Sequence, residues 1–184
     1  MTLPCLKRPC HAALTVALLP VLLHLLAGCS PTLDWRETRP PGAVVLFPCK
    51  PTVETRPVRL AGAAPAPLTM SACEAGGAMF ALASLDVGDA SRVPAALAAL
   101  REAQAGNLGA TPGPGGAAPR RRGAPSDSPV ERFRLAGRLP DGTPIQQESL
   151  YLARGTRVYQ ALVQGRTVPQ AAVDTFFEGI ELAP

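Results

Sequence analysis

Residues 132–164, RFRLAGRLPDGTPIQQESLYLARGTRVYQALVQ, decide the fold. Three strand-like stretches, Arg132–Leu139, Ile145–Ala153 and Thr156–Gln164, are separated by PDGT and ARGT. Such Gly-containing turns favour tight hairpins, so the segment reads as three antiparallel strands in succession. In the third, Tyr159, Ala161 and Val163 share one face while Gln160 and Gln164 lie on the other, the alternation of a half-buried sheet. No helix separates the strands, so this is not a βαβ arrangement.

Upstream, Ala43–Phe47 is β-branched and apolar and stops at Pro48, as a buried strand does. Val53–Leu60 alternates imperfectly, and Thr55, Arg56, Pro57 and Arg59 make it an edge strand. Leu68–Cys73 and Ala78–Val87 flank EAGG, a tight hairpin turn, and the four strands together read as an antiparallel meander. Ser91 or a neighbour is placed to cap a helix running through about Ala105, with Pro94 tolerated in its first turn and Val93, Leu97 and Leu100 on its buried face. Downstream, a second helix begins near Pro169, and Val173, Phe176, Phe177 and Ile180 form the stripe that packs on a sheet. The order of strands, helix, strands, helix predicts an α+β fold: one antiparallel sheet with two helices packed across it.

Gly106–Pro129 interrupts this pattern with six Gly and five Pro in 24 residues, a composition that cannot bury a core. It reads as a long mobile loop. Arg120, Arg121 and Arg122 within it are a candidate contact for anions or lipid headgroups, although a solvated charge run is the plainer interpretation.

The N-terminus has a different character. Lys7 and Arg8 precede Ala12–Ala27, a 16-residue run that is apolar apart from Thr15 and His24. A membrane-spanning helix wants about 20 apolar residues, whereas a cleaved signal needs only a short run followed by small side chains. Leu26-Ala27-Gly28-Cys29 supplies them and resembles the lipobox of bacterial lipoproteins. The resemblance implies that residues 1–28 are removed and that Cys29 is acylated and becomes the first residue of the mature chain. Ser30 stands where an Asp would resemble an inner-membrane retention signal, which points to the outer membrane and a domain facing the periplasm.

Cys5 and Cys10 then leave with the signal and Cys29 carries lipid, so Cys49 and Cys73 remain. Export exposes them to an oxidising compartment, where a disulfide is expected. There is no C-x-x-C motif, although a redox role for the pair remains a second reading. Removing Lys7 and Arg8 leaves 16 basic against 14 acidic side chains, so charge gives no reason to expect a nucleic-acid partner. Pro31–Pro41 reads as part of an extended tether, residues 29–42, holding the only Trp, Trp35, which is expected to dock on the domain at 43–184.

The pattern LPDGTPIQQESLYLARGTRVYQALVQG followed by AVDTFFEGIEL resembles the C-terminal half of PsbP-like α/β/α sandwich domains. Phe47–Pro51, FPCKP, is similar to their opening strand. These are packing motifs, and they imply a fold rather than an activity.

Both histidines, His11 and His24, fall in the signal, which leaves the mature chain without a Ser-His-Asp triad, a Cys-His pair or a His-based zinc site. Lys50, between prolines, reads as a solvated charge. Asp86 with Asp89, and Glu178 with Glu181, are the paired carboxylates available for acid–base chemistry, but they sit at element ends, where carboxylates serve solubility. GPGG at 113–116 lacks the Lys and the following helix of a phosphate loop. The expectation is a lipid-anchored, non-catalytic binding or scaffolding module with no cofactor and an envelope protein as its partner. The alternatives are a carboxylate-based hydrolase of envelope polymers and a thiol–disulfide protein using Cys49 and Cys73.

Overall fold

The computed structural model describes residues 32–60, 64–110, 116–118 and 130–183. The expected signal and Cys29 lie outside that range, as do Arg120, Arg121 and Arg122 and most of the Gly/Pro-rich stretch. Among the described residues no helix is long and apolar enough to cross a membrane.

The fold is α+β and dominated by antiparallel strands. One sheet has seven strands: β3 (Thr52–Val58), β4 (Ala66–Ala75), β5 (Ala78–Asp86), β6 (Gly116–Ala117), β7 (Glu131–Arg138), β8 (Pro144–Arg154) and β9 (Arg157–Gly165), in the order β3-β4-β5-β9-β8-β7-β6. A second sheet has three: β1 (Arg36–Thr38), β2 (Ala43–Phe47) and β10 (Ile180–Leu182), in the order β1-β2-β10. The helices are α1 (Val93–Asn107), preceded by a 3-10 turn at Ala90–Arg92, and α2 (Gln170–Glu178).

The hairpins fall where the turn chemistry places them. Ala75 pairs with Ala78, leaving Gly76 and Gly77 at the turn with φ of 59° and 76°. Positive φ at both central residues matches the twist of the strands on either side. Arg154 pairs with Arg157 and Arg138 with Pro144, which closes the β8–β9 and β7–β8 hairpins.

Two apolar cores lie on opposite faces of the large sheet. On one face Phe80, Leu82, Leu150, Leu152, Tyr159 and Val163 meet Val45 and Phe47 of β2 and Val173, Phe176 and Phe177 of α2. Phe176 is the hub, with ring centroids 5.1 Å from Phe47 and 5.5 Å from Phe80. On the other face Leu85, Phe133, Tyr151 and Val158 pack against Val93, Ala96 and Leu100 of α1. The C-terminal end of α1 continues this layer, with Ala105 and Leu108 against Leu135 and Ile145. Gly137 permits the approach, because a Cβ there would come within 2.2 Å of the Leu108 carbonyl oxygen.

Several expectations change. β2 is not part of the meander; it pairs with β1 and β10 in the second sheet. Its residues Ala43, Val45 and Phe47 all point into the core, and the Pro48–Pro51 segment is too poor in N–H donors to form a hairpin into β3. The helices are therefore joined by a second sheet in covering the first. The tether is also shorter than expected. Arg36–Thr38 is a strand on β2, and Trp35 docks edge-on against Phe80 at 6.3 Å.

β9 is buried on both faces rather than half-buried, because α1 covers the side that carries Gln160. At the start of α1, the cap is Asp89, whose carboxylate accepts from the Ser91 N–H at 2.8 Å; the α-helix proper has no side-chain cap. Helix α1 extends into the Gly/Pro-rich stretch as far as Asn107, and Gly116–Ala117 pairs with Arg132 and Glu131. Ile180 belongs to β10 rather than to the helical stripe.

Cys49 and Cys73 are in disulfide geometry, with Cα atoms 6.0 Å apart across a sequence separation of 24. The bridge ties the segment leaving β2 to β4, and so one sheet to the other. In the chain-entropy picture a loop of this length stabilises the fold by roughly 3.5 kcal/mol. The double substitution Cys49→Ala/Cys73→Ala is expected to lower the unfolding free energy in urea by about 3 kcal/mol. An unchanged denaturation midpoint would mean that the strap adds nothing.

Candidate functional site

An apolar cleft lies where the ends of β3, β4 and β5 meet the first turn of α1. It is a cleft of about 260 Å³ lined by Val58, Leu60, Ala66, Leu85, Val87 and Ala96, with Ser91 and Arg92 contributing polar groups. Its cause is local. The sequence VPAALAAL gives α1 mainly alanines, and methyl groups do not fill the gap to Leu85 and Val58. The loop before the helix is held by its acids. Asp86 accepts from the Gly88 N–H at 2.9 Å and Asp89 caps Ser91. The Arg92 guanidinium reaches back to the Val87 carbonyl at 3.4 Å, which sets a positive charge beside apolar walls.

β3 runs into this cleft and, among the described residues, forms a free edge of the large sheet. Residues Thr52–Pro57 are all exposed, and Val53, at 63 %, is the one large hydrophobic so exposed among the described residues. Thr55 and Thr69 join hydroxyls across β3 and β4 at 3.1 Å, and Arg56 pairs with Glu54.

Two polar clusters went unnoticed in the sequence. Under α1, Gln104 donates to Gln147 at 2.6 Å, Gln147 donates to Ser149 at 2.6 Å, and Gln160 donates to the Tyr151 hydroxyl at 3.2 Å. Gln147 and Ser149 are almost completely buried. A buried amide without a partner costs about 1–3 kcal/mol, so this layer fixes how α1 sits on the sheet. On the opposite face Glu148, with its side chain 8 % exposed, accepts from Arg132 Nε at 2.7 Å and Arg134 Nε at 2.9 Å. Arg132 also donates to Asp174 at 3.0 Å and lies 5.3 Å over the Phe177 ring, which locks α2 to the sheet. Burial disfavours the Asp174 carboxylate, but hydrogen bonds from Arg132 and Gln170 outweigh it and hold that carboxyl below the usual range. The alternation R-F-R opposite E-S-L across a PDGT turn is the signal that could have revealed the ionic cluster, since Arg134 and Glu148 are register partners.

Of the nominated carboxylates, Asp86 and Asp89 are each engaged by backbone N–H groups of the loop before α1. Asp86 lies beside Arg157 at 3.4 Å, and hydrogen bonds from Thr156 and Gly88 pull its carboxyl below the ordinary range. Asp89 is lowered in the same sense by the Ser91 N–H. A general acid needs the opposite shift. Glu178 stands exposed at the end of α2, and Glu181 is half-buried in β10. Lys50 is exposed. No group of three or more Cys, Asp, Glu or His side chains that could hold a metal occurs among the described residues.

No protein-family model matches the chain, and no curated protein matches it. Among solved structures, a crystal structure from Bacteroides thetaiotaomicron aligns at 8 % identity with a TM-score of 0.38. The alignment covers 82 % of this chain and 42 % of that one, so this chain spans less than half the length of that protein.

Two measurements check the buried chemistry. Glu148→Gln leaves Arg132 without its buried counter-charge and is expected to cost about 2 kcal/mol in urea unfolding, reduced from the usual buried-pair cost because Arg134 is largely exposed. Burial pushes the Tyr151 phenol up to about 12 and raises Tyr159 as well, and these are the chain's two tyrosines. A raised phenol keeps its stabilising contribution below its unfolded value of 10.0 and loses it as pH climbs towards 12. Phenolate absorbance of the native protein is therefore expected to stay low just above pH 10.0 and to rise together with unfolding.

Proposed function

We propose that this chain is a lipid-anchored protein of the bacterial cell envelope, held through Cys29 and working without chemistry as a binding module. In this reading its two sheets and two helices are a PsbP-like sandwich, held in the periplasm at the outer membrane. The observation that carries the binding role is the apolar cleft beside Arg92. Ligand pockets commonly begin at about 300 Å³, so this one suits a short length of aliphatic chain rather than a large ring system. Arg92, whose charge also acts on Asp89, offers a partner for an anionic end group. The ligand class is thus an aliphatic carboxylate.

The hydrolase alternative gains no support from Asp86 and Asp89, since each is occupied in holding a turn and has its carboxyl shifted away from proton donation. The thiol–disulfide alternative fares little better, because Cys73 packs partly buried against the main core. Exchange there would disturb the packing between the sheets.

A fluorescent fatty acid titrated into the protein tests this reading. Enhanced emission is expected, with binding weakened about tenfold or more by Ala95→Phe, which narrows the cleft from an exposed position on its lining. Arg92→Glu should weaken the acid but leave the matching fatty alcohol unaffected. Equal binding by the parent and Ala95→Phe would remove the cleft from the proposal. The anchor has its own check: Cys29→Ala is expected to move the protein from the membrane to the soluble fraction.

A further inference from the structure

The outer edge of β3 is complementary to itself. Pro57 lies opposite Pro67 of β4, and neither has an N–H, so that pair occupies a non-hydrogen-bonded position of the ladder. Ladder positions alternate, so Thr55 and Val53 are non-hydrogen-bonded towards β4 as well, and their N–H and C=O groups point outward. If a second β3 is laid antiparallel with Thr55 opposite Thr55, Glu54 falls opposite Arg56, Val53 opposite Pro57, and Thr52 opposite Val58. Every facing pair is then compatible. Opposite charges meet twice on one face, and on the other the exposed Val53 covers a proline. The threonine pair Thr55–Thr69 extends across the join into a continuous ladder of hydroxyls.

We propose that the free edge of β3 pairs with β3 of a second copy of this chain, centred on Thr55, to make one continuous sheet of both molecules. Four backbone hydrogen bonds result: two between the Thr55 residues and one from each Val53 N–H to the opposite Pro57 carbonyl. Pro57 has no N–H to return, which ends the ladder, and a shift that centres the pair on Glu54 would set the two Glu54 carboxylates against each other. The strand is already ordered for the encounter, since its start is tied by the Cys49–Cys73 bridge and both its faces are exposed. This pairing goes beyond the cleft and does not depend on it.

Cysteine cross-linking of the full chain in bacterial membranes tests the register. A hydrogen-bonded antiparallel pair has Cα atoms about 5.5 Å apart, inside the range a disulfide bridges. Thr55→Cys is therefore expected to give a covalent dimer on mild oxidation. Val53→Cys should not, because each Val53 lies four residues, about 14 Å, along the strand from its counterpart. Glu54→Arg should weaken the dimer about tenfold by setting Arg against Arg56 twice, and Glu54→Arg/Arg56→Glu should restore it. The urea-unfolding midpoint of each variant, compared with the parent, serves as the folding control. The proposal is overturned if Thr55→Cys stays monomeric while unfolding at the parent's urea midpoint, if Val53→Cys cross-links equally well, if Thr55→Cys links only to other proteins, or if the double variant is as weak as the single one.

Discussion

β9 must bury both of its faces, and the rest of the molecule is arranged around that demand. It lies near the middle of the large sheet between β5 and β8, and Val158 through Val163 are all buried. A strand in this position needs a layer above it and another below. α1 provides the first, and α2 with the three-stranded sheet provides the second. Tyr159 shows how tightly the second layer is applied. Its hydroxyl donates to the Gly42 carbonyl at 2.8 Å, and Gly42 adopts φ of 72° with no room for a Cβ beside that oxygen. A side chain there would be strained by the backbone and blocked by the phenol.

The two layers solve the same problem in different chemistry. The α1 layer accepts polar side chains from β8 and β9 by pairing amides with amides and hydroxyls, with no net charge to desolvate. The α2 layer accepts Glu148 by surrounding it with two guanidinium groups, of which Arg134 remains largely in water. The ionic solution draws on β7, whose Arg134 stays largely in water and so costs little to desolvate. The amide solution buries Gln147 and Ser149, on the same strand as Glu148, without any charge to desolvate. Both tell α1 and α2 where to sit, which apolar contacts alone would leave looser.

Much of this was legible in the sequence, and the parts that were not share a cause. The hairpins at PDGT, ARGT and EAGG, the edge character of β3, the two helices and the docking of Trp35 all follow from local signals, and they lie where expected. The partner of β2 could not be read, because its pairing with β10 depends on residues at the far end of the chain. Nor could the double burial of β9. Gln160 looks solvent-facing in a period-two pattern, and only the arrival of Gln104 and Tyr151 makes it a buried residue. The cleft has no sequence signature either, since it arises from atoms that alanines do not have. Local chemistry writes the elements, and the polar residues under α1 acquire their meaning only from a helix that lies far away in sequence.

The pairing of Val45 with Ile180 and of Ala43 with Leu182 ties nearly the first described strand to the last. During synthesis β2 has only three-residue β1 beside it until the final residues of the chain emerge. The seven-stranded sheet is built from neighbours in sequence over most of its width and can assemble as the hairpins appear. The small sheet closes over it as a late, long-range event, when the aromatic ring of Phe47 finally meets Phe176. Until then one side of the principal core stands open to whatever else is at hand, so the interval between making β9 and making β10 is when this chain is most exposed to misassociation.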